Sequence, residues 1–145
     1  MTAQRVWDER FMEMAKLTAS WSKDPSTKVG AVIVDDQNRI VSLGYNGFPR
    51  DVSDDESKLH DRQTKLEMTV HAETNAILFA QRNLAGCTLY VWPMPCCARC
   101  AGLVIQTGIE RVVSTKANFR PEWQTSQNIA DDMFKQALVE TDYDF

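Results

Sequence analysis

Residues 70–100 read VHAETNAILFAQRNLAGCTLYVWPMPCCARC, and this stretch decides the fold. From Ala72 to about Arg82 the residues predict a helix, with Ala76, Ile77 and Ala80 as good formers or core positions. Cys87-Thr-Leu-Tyr-Val-Trp92 is a short β-branched and aromatic run and predicts a strand. Pro93-Met-Pro95 ends it. A second helix is expected from Ala98 to about Thr107, closed by Gly108. Helix, strand and helix in direct succession are the middle of an α/β arrangement.

Upstream, Val29-Gly-Ala-Val-Ile-Val34 and Arg39-Ile-Val-Ser-Leu-Gly44 predict two strands. The polar turn Asp35-Asp-Gln-Asn38 between them makes an antiparallel hairpin. An amphipathic helix is expected from about Thr2 to Trp21, with Val6, Phe11, Met14, Leu17 and Trp21 as its apolar stripe and Pro25 in the segment that stops it. Between Tyr45 and about Lys65 lies a long polar stretch with room for a short helix. Loops of that length are often functional or mobile, and closure of residues 51–66 over a substrate is one role open to this one. Downstream, Glu110–Ser114 predicts a fourth strand and Glu122–Leu138 a helix. Val139–Phe145 would be a final strand or an interface tail. The order predicts one domain over residues 1–145. Its fold class is α/β, a three-layer α/β/α sandwich around a mixed central sheet of about five strands.

The chain has 145 residues, 43% of them hydrophobic, which suffices for one ordinary core. No apolar run is long enough for a membrane span, and the charged start MTAQRVWDERF does not resemble a secretion signal, so a cytoplasmic protein is expected. The net charge is −4 and the pI about 5.1. With no dense Lys/Arg block, the balance disfavours nucleic acid as a partner and favours a small ligand gripped by a few local cations.

Of the four cysteines, Cys96, Cys97 and Cys100 cluster, and Cys87 stands apart. Adjacent Cys96 and Cys97 are poorly placed for a disulfide with each other. Cys97 and Cys100 share a face on a helical turn, and a helix N-terminus favours their thiolate forms. A lone CxxC is commonly a structural zinc knuckle or a redox pair, and a lone histidine at a helix start is commonly a cap. Here His71-Ala72-Glu73 precedes the CxxC by a helix and a strand, with 26 residues from His71 to Cys97. That connection can bring two helix starts together. One imidazole and two thiolates suit zinc, and three protein ligands leave the fourth tetrahedral corner for water. Zinc lowers the pKa of such a water to about 7, and Glu73 alongside can take its proton and pass it on. A closed structural site would need a fourth ligand. Cys87 reads better as a small core residue and His60 as a solvated one.

The pairing of H-x-E with C-x-x-C resembles the cytidine/deoxycytidylate deaminase superfamily, and within it the dCMP deaminases. Ser22–Pro25, Val29–Val32, Gly44–Gly47, Val70–Ile77, Thr88–Val91, Ala98–Ala101 and Ile105–Ile109 look like that family's blocks in the family's order, over about Trp7 to Val113. The resemblance implies zinc held by His71, Cys97 and Cys100, with Glu73 as proton shuttle in the hydrolytic removal of an amino group at C4 of cytosine. It implies dCMP as substrate and dUMP as product, with Asn46 on the sugar hydroxyl and the Ala72 N–H on the pyrimidine carbonyl. The Ser22–Lys28 segment would lie near the phosphate, with Lys28 as its cation. A homo-oligomer, hexamer or dimer, is also implied, with Phe79 and Arg82 at positions associated with subunit contacts. So are dCTP and dTTP as effectors, with Mg2+ accompanying the effector nucleotide.

Two departures stand out. The family carries proline immediately before the first thiolate ligand, where this chain has Cys96; it would be a spectator, or an oxidation site if exposed. Some relatives bind a second, structural zinc through a Cys- and His-rich insertion. The loop from Gly47 to Val70 offers only His60, so one zinc per chain is expected. The rival readings are a nucleic-acid base deaminase of the tRNA adenosine type, an enzyme for free cytidine or cytosine, and a non-catalytic zinc-stabilised binding module. Glu73 argues against the last of these. The length leaves no room for the reductase domain of a bifunctional riboflavin-pathway enzyme.

Overall fold

The computed structural model describes residues 2–116 and 121–145. Helix α1 (Ala3–Ala19) is followed by β1 (Gly30–Val34) and β2 (Ile40–Tyr45). Three helices come next, α2 (Glu56–Leu59), α3 (Arg62–Met68) and α4 (Ala72–Ala80). Then β3 (Thr88–Trp92), α5 (Ala98–Thr107), β4 (Arg111–Val113), α6 (Pro121–Gln136) and β5 (Glu140–Asp142) complete the order. The strands form one mixed sheet in the order β2-β1-β3-β4-β5. β1 pairs antiparallel with β2 and β3, whereas β3, β4 and β5 run parallel. The five-stranded α/β sheet agrees with the sequence reading.

Alternation along the strands sorts the core into two layers. Val32, Val34, Tyr90 and Val113 meet Phe11, Met12 and Ala15 of α1 on one face. Ala31, Ile33, Leu89, Val91 and Val112 meet α4, α5 and α6 on the other, through Ala72, Ala76, Ala101, Val104, Ala130 and Phe134. No helix among the described residues is long and apolar enough to cross a membrane.

Three details differ from the sequence reading. The inner face of α1 is Asp8, Phe11, Met12, Ala15, Thr18 and Ala19, while Leu17 and Trp21 are largely exposed. Asp8 goes inside because Arg111 meets both its oxygens, at 2.8 and 2.7 Å, and the Tyr90 hydroxyl donates to it at 2.6 Å. The polar stretch before residue 70 holds two short helices rather than one. α4 stops at Ala80, where Gln81 turns left-handed with φ 50°.

Close backbone approach fixes where α4 sits. A Cβ on Gly44 of β2 would overlap the Ala72 carbonyl oxygen and the Ala76 nitrogen, so glycine is required there. The Asn75 side chain also donates to the Tyr45 carbonyl at 2.8 Å. The first turn of α4 is therefore pressed against the end of β2.

Candidate active site

Two helix N-termini converge on one point. His71 and Cys97 are the extended residues that precede α4 and α5, and Cys100 lies in the first turn of α5. His71 Nδ1 stands 3.3 Å from Cys100 Sγ and 3.5 Å from Cys97 Sγ. One ligand atom from each residue falls within 4.8 Å of the other two. Tetrahedral ligands at zinc bond lengths lie about 3.5–3.8 Å from one another, so the donor set and its spacing fit that ion. Among the described residues no fourth histidine, cysteine or carboxylate joins the group. His60 is exposed and paired with Glu56, and Cys87 is buried in the core.

The three donors perturb one another strongly. The Cys97 thiol is pushed well below its ordinary range, chiefly by a hydrogen bond from Cys100, with further help from His71 and the Cys100 backbone N–H. The same bond, with burial, pushes Cys100 upward. His71 is raised, mainly by its contact with Cys97. A divalent ion would draw both sulfurs in as thiolates.

Glu73 lies beside this cluster and is only 4% exposed. Burial raises its carboxyl, while the His71 charge acts the other way. Cys96 is fully buried, and burial, with the Glu73 carboxylate nearby, pushes its thiol well above the ordinary range. The oxidation site that the sequence allowed at Cys96 is accordingly shut off from solvent.

The cluster opens on a cavity of about 550 Å³ whose wall includes Asn46, His71, Ala72, Glu73 and Cys97. Lys28 does not line it. That side chain is exposed and belongs to a separate outer groove with Lys16 and Trp92. The peptide at Ser26-Thr27 forms a partition, since both residues line the cavity and the groove. Asn46 has two structural bonds already: Oδ1 accepts from the Val29 N–H at 2.9 Å and Nδ2 donates to the Thr27 carbonyl at 2.9 Å. It clamps the partition in place.

Several cavity residues escaped the sequence reading. Lys65 is buried against Asp24, which also accepts from the Ser26 and Thr27 N–H groups. Arg62 and Arg99 are the exposed cations of the wall. Arg62 reaches from α3 to Glu122 and lies 5.9 Å from the Trp123 ring centroid, spanning to the head of α6. Ser126 Oγ accepts from the Ala98 N–H at 2.9 Å, which ties α6 to the start of α5. The lysine in Thr64-Lys-Leu-Glu67 was the one available signal, and it means little until helix α3 is placed.

Similarity to known proteins agrees with this geometry. Residues 5–116 match the profile of the cytidine and deoxycytidylate deaminase zinc-binding region. The chain is 49% identical over 136 residues to an uncharacterized deaminase in the luxG 3' region of Aliivibrio fischeri, covering 92% of this chain and 90% of that one. It is 42% identical to the deoxycytidylate deaminase of Mus musculus, over 83% of this chain and 70% of the mouse protein. Its fold matches the crystal structure of dCMP deaminase from the cyanophage S-TIM5, in complex with dCMP and dUMP, with a TM-score of 0.76 at 22% identity and 99% and 98% coverage. With two helix starts gathered on a zinc donor set and a profile match over most of its length, the chain belongs to the cytidine and deoxycytidylate deaminase zinc-binding family.

Proposed function

We propose that this chain is a dCMP deaminase, a single cytoplasmic domain that hydrolyses dCMP to dUMP and ammonia and so supplies dUMP for dTMP synthesis. The observation that carries the reading is a buried carboxylate, Glu73, beside a three-donor cluster at the wall of a nucleotide-sized cavity. The curated relatives named deoxycytidylate deaminase support the choice of substrate.

His71, Cys97 and Cys100 would hold one zinc ion, which when bound acidifies a water molecule. Glu73 is the proton carrier. Its carboxyl is raised by burial, which suits a group that must both take and return a proton near neutral pH. It accepts one proton from the attacking water and delivers it to N3 of the ring, where it stays in the product. It then takes the remaining proton from the new C4 hydroxyl and passes it to the departing N4 as the C4–N4 bond breaks and the C4 carbonyl forms. The Ala72 N–H, at the first turn of α4, lacks an intrahelical acceptor and is available to the pyrimidine carbonyl. Asn46 contributes its remaining hydrogen-bonding capacity to the sugar hydroxyl while holding the partition. For the phosphate, the cavity-lining cations Arg62, Lys65 and Arg99 replace Lys28 as the better-placed groups.

The same reading extends to a homo-oligomer, for which the exposed Leu78 and Phe79 on α4 offer an apolar face, and to control by dCTP and dTTP with Mg2+. The test is a substrate panel of dCMP, CMP, deoxycytidine and cytosine, followed by absorbance loss with and without dCTP and Mg2+. Preferential turnover of dCMP is expected. Absence of dCMP turnover by zinc-loaded protein would sink the reading.

A further inference from the structure

Gln127 carries a buried oxygen that the described protein leaves unsatisfied. The residue lies on α6, is 5% exposed and lines the cavity. Its amide nitrogen donates to Asp131 Oδ1 at 2.8 Å. An ionised aspartate only accepts, so this bond sets the orientation of the amide, with nitrogen towards Asp131 and oxygen away. The Tyr143 hydroxyl donates to the same Asp131 oxygen at 2.9 Å, bracing that side. Among the described residues, Gln127 Oε1 is the buried side-chain oxygen with no hydrogen-bond partner. A buried acceptor left alone carries its full desolvation cost, and native proteins keep few such groups without a use.

Position along α6 indicates which donor would use it. Glu122 and Trp123, at the head of the helix, meet Arg62. One turn further on, Ser126 meets the Ala98 N–H beside Cys97. Gln127 follows Ser126 directly and lines the same cavity as His71, Glu73 and Cys97, beyond the Arg62 contact along the helix. A cytosine nucleotide with C4 at the metal end presents one donor there, its exocyclic amino group, while its sugar and phosphate extend away.

We propose that Gln127 is a specificity-determining residue whose Oε1 accepts a hydrogen bond from the exocyclic amino group of the bound cytosine. This rests on the function proposed above. After reaction the product carries an oxygen at C4, which sets acceptor against acceptor. The contact that favours the substrate thus disfavours the product.

The test compares two ligands in zinc-loaded protein carrying Glu73→Gln, so that dCMP persists during calorimetry. Adding Gln127→Met should weaken dCMP roughly tenfold and leave dUMP unchanged or tighter. An equal loss for both nucleotides, or no change in either, would overturn the role. Circular dichroism and zinc content check folding, and Gln127→Leu takes the place of Gln127→Met if the latter does not fold. Turnover of dCMP by the unsubstituted chain is measured separately. If it proceeds while dCMP and dUMP respond alike, the Gln127 role alone fails. If it is absent, the proposed function fails and the role with it.

Discussion

The Lys65 ammonium lies 3.0 Å from Asp24 Oδ1, and both side chains are closed off from solvent. This pair joins α3 to the turn that carries Ser26 and Thr27. Burying two charges is costly, and leaving one of them alone is worse.

The consequences of breaking the pair are unequal. Asp24→Ala removes two backbone caps and strands the lysine, and should cost about 3 kcal/mol or more. Lys65→Met leaves Asp24 with its Ser26 and Thr27 donors and should cost less. Urea denaturation of zinc-loaded protein measures both, and a larger loss for Lys65→Met would contradict the assignment.

Asp8 predicts an acid-sensitive component of stability. Burial alone would raise its carboxyl, but hydrogen bonds from Arg111, Tyr90 and Gln4 outweigh that and hold it below 3.8. The folded protein therefore binds this proton less readily than the unfolded chain does. The contribution is present above the unfolded value of about 3.9 and fades as pH falls through the lower folded value. Asp8→Asn should flatten the fall of urea stability over that acid range. An unchanged slope would contradict the linkage.

Metal removal should expose one reactive thiol. In zinc-free protein Cys97 is the half-buried, acidic sulfur, whereas Cys87, Cys96 and Cys100 are buried with raised thiols. Brief alkylation at neutral pH should label Cys97 first, and zinc should protect it. Peptide mass spectrometry reads the order.

Gly44→Ala should act on the metal from a distance. The new Cβ displaces the first turn of α4, and His71 moves with it. Zinc affinity should drop on the order of tenfold, measured by competition with a chelating dye. Unaltered affinity would mean that the helix start tolerates the shift.

Glu73→Gln should keep one zinc per chain and lower dCMP turnover by a factor on the order of 10² or more. Metal analysis and absorbance assays separate the two effects. Retained turnover would remove Glu73 from the proton path.

What could be read without coordinates follows the reach of local pattern. His71, Cys97 and Cys100 were legible because ligand chemistry imposes short, regular spacings at helix starts. The β1–β2 hairpin was legible through its turn. The buried face of α1 was not, because Asp8 is drawn inward by Arg111, 103 residues away. Lys65 was missed for a related reason, as its partner Asp24 lies 41 residues off. Lys28 shows the converse hazard. It is near the right segment in sequence, yet it stands on the far side of the partition.

At that partition Ser26 and Thr27 border both the cavity beside the three donors and the outer groove. Such a wall cannot flex privately. Whatever tugs at Thr27 from without also reshapes the cavity, so changes made on the outer surface at Lys16, Lys28 or Trp92 should be audited for effects on turnover before being counted as neutral.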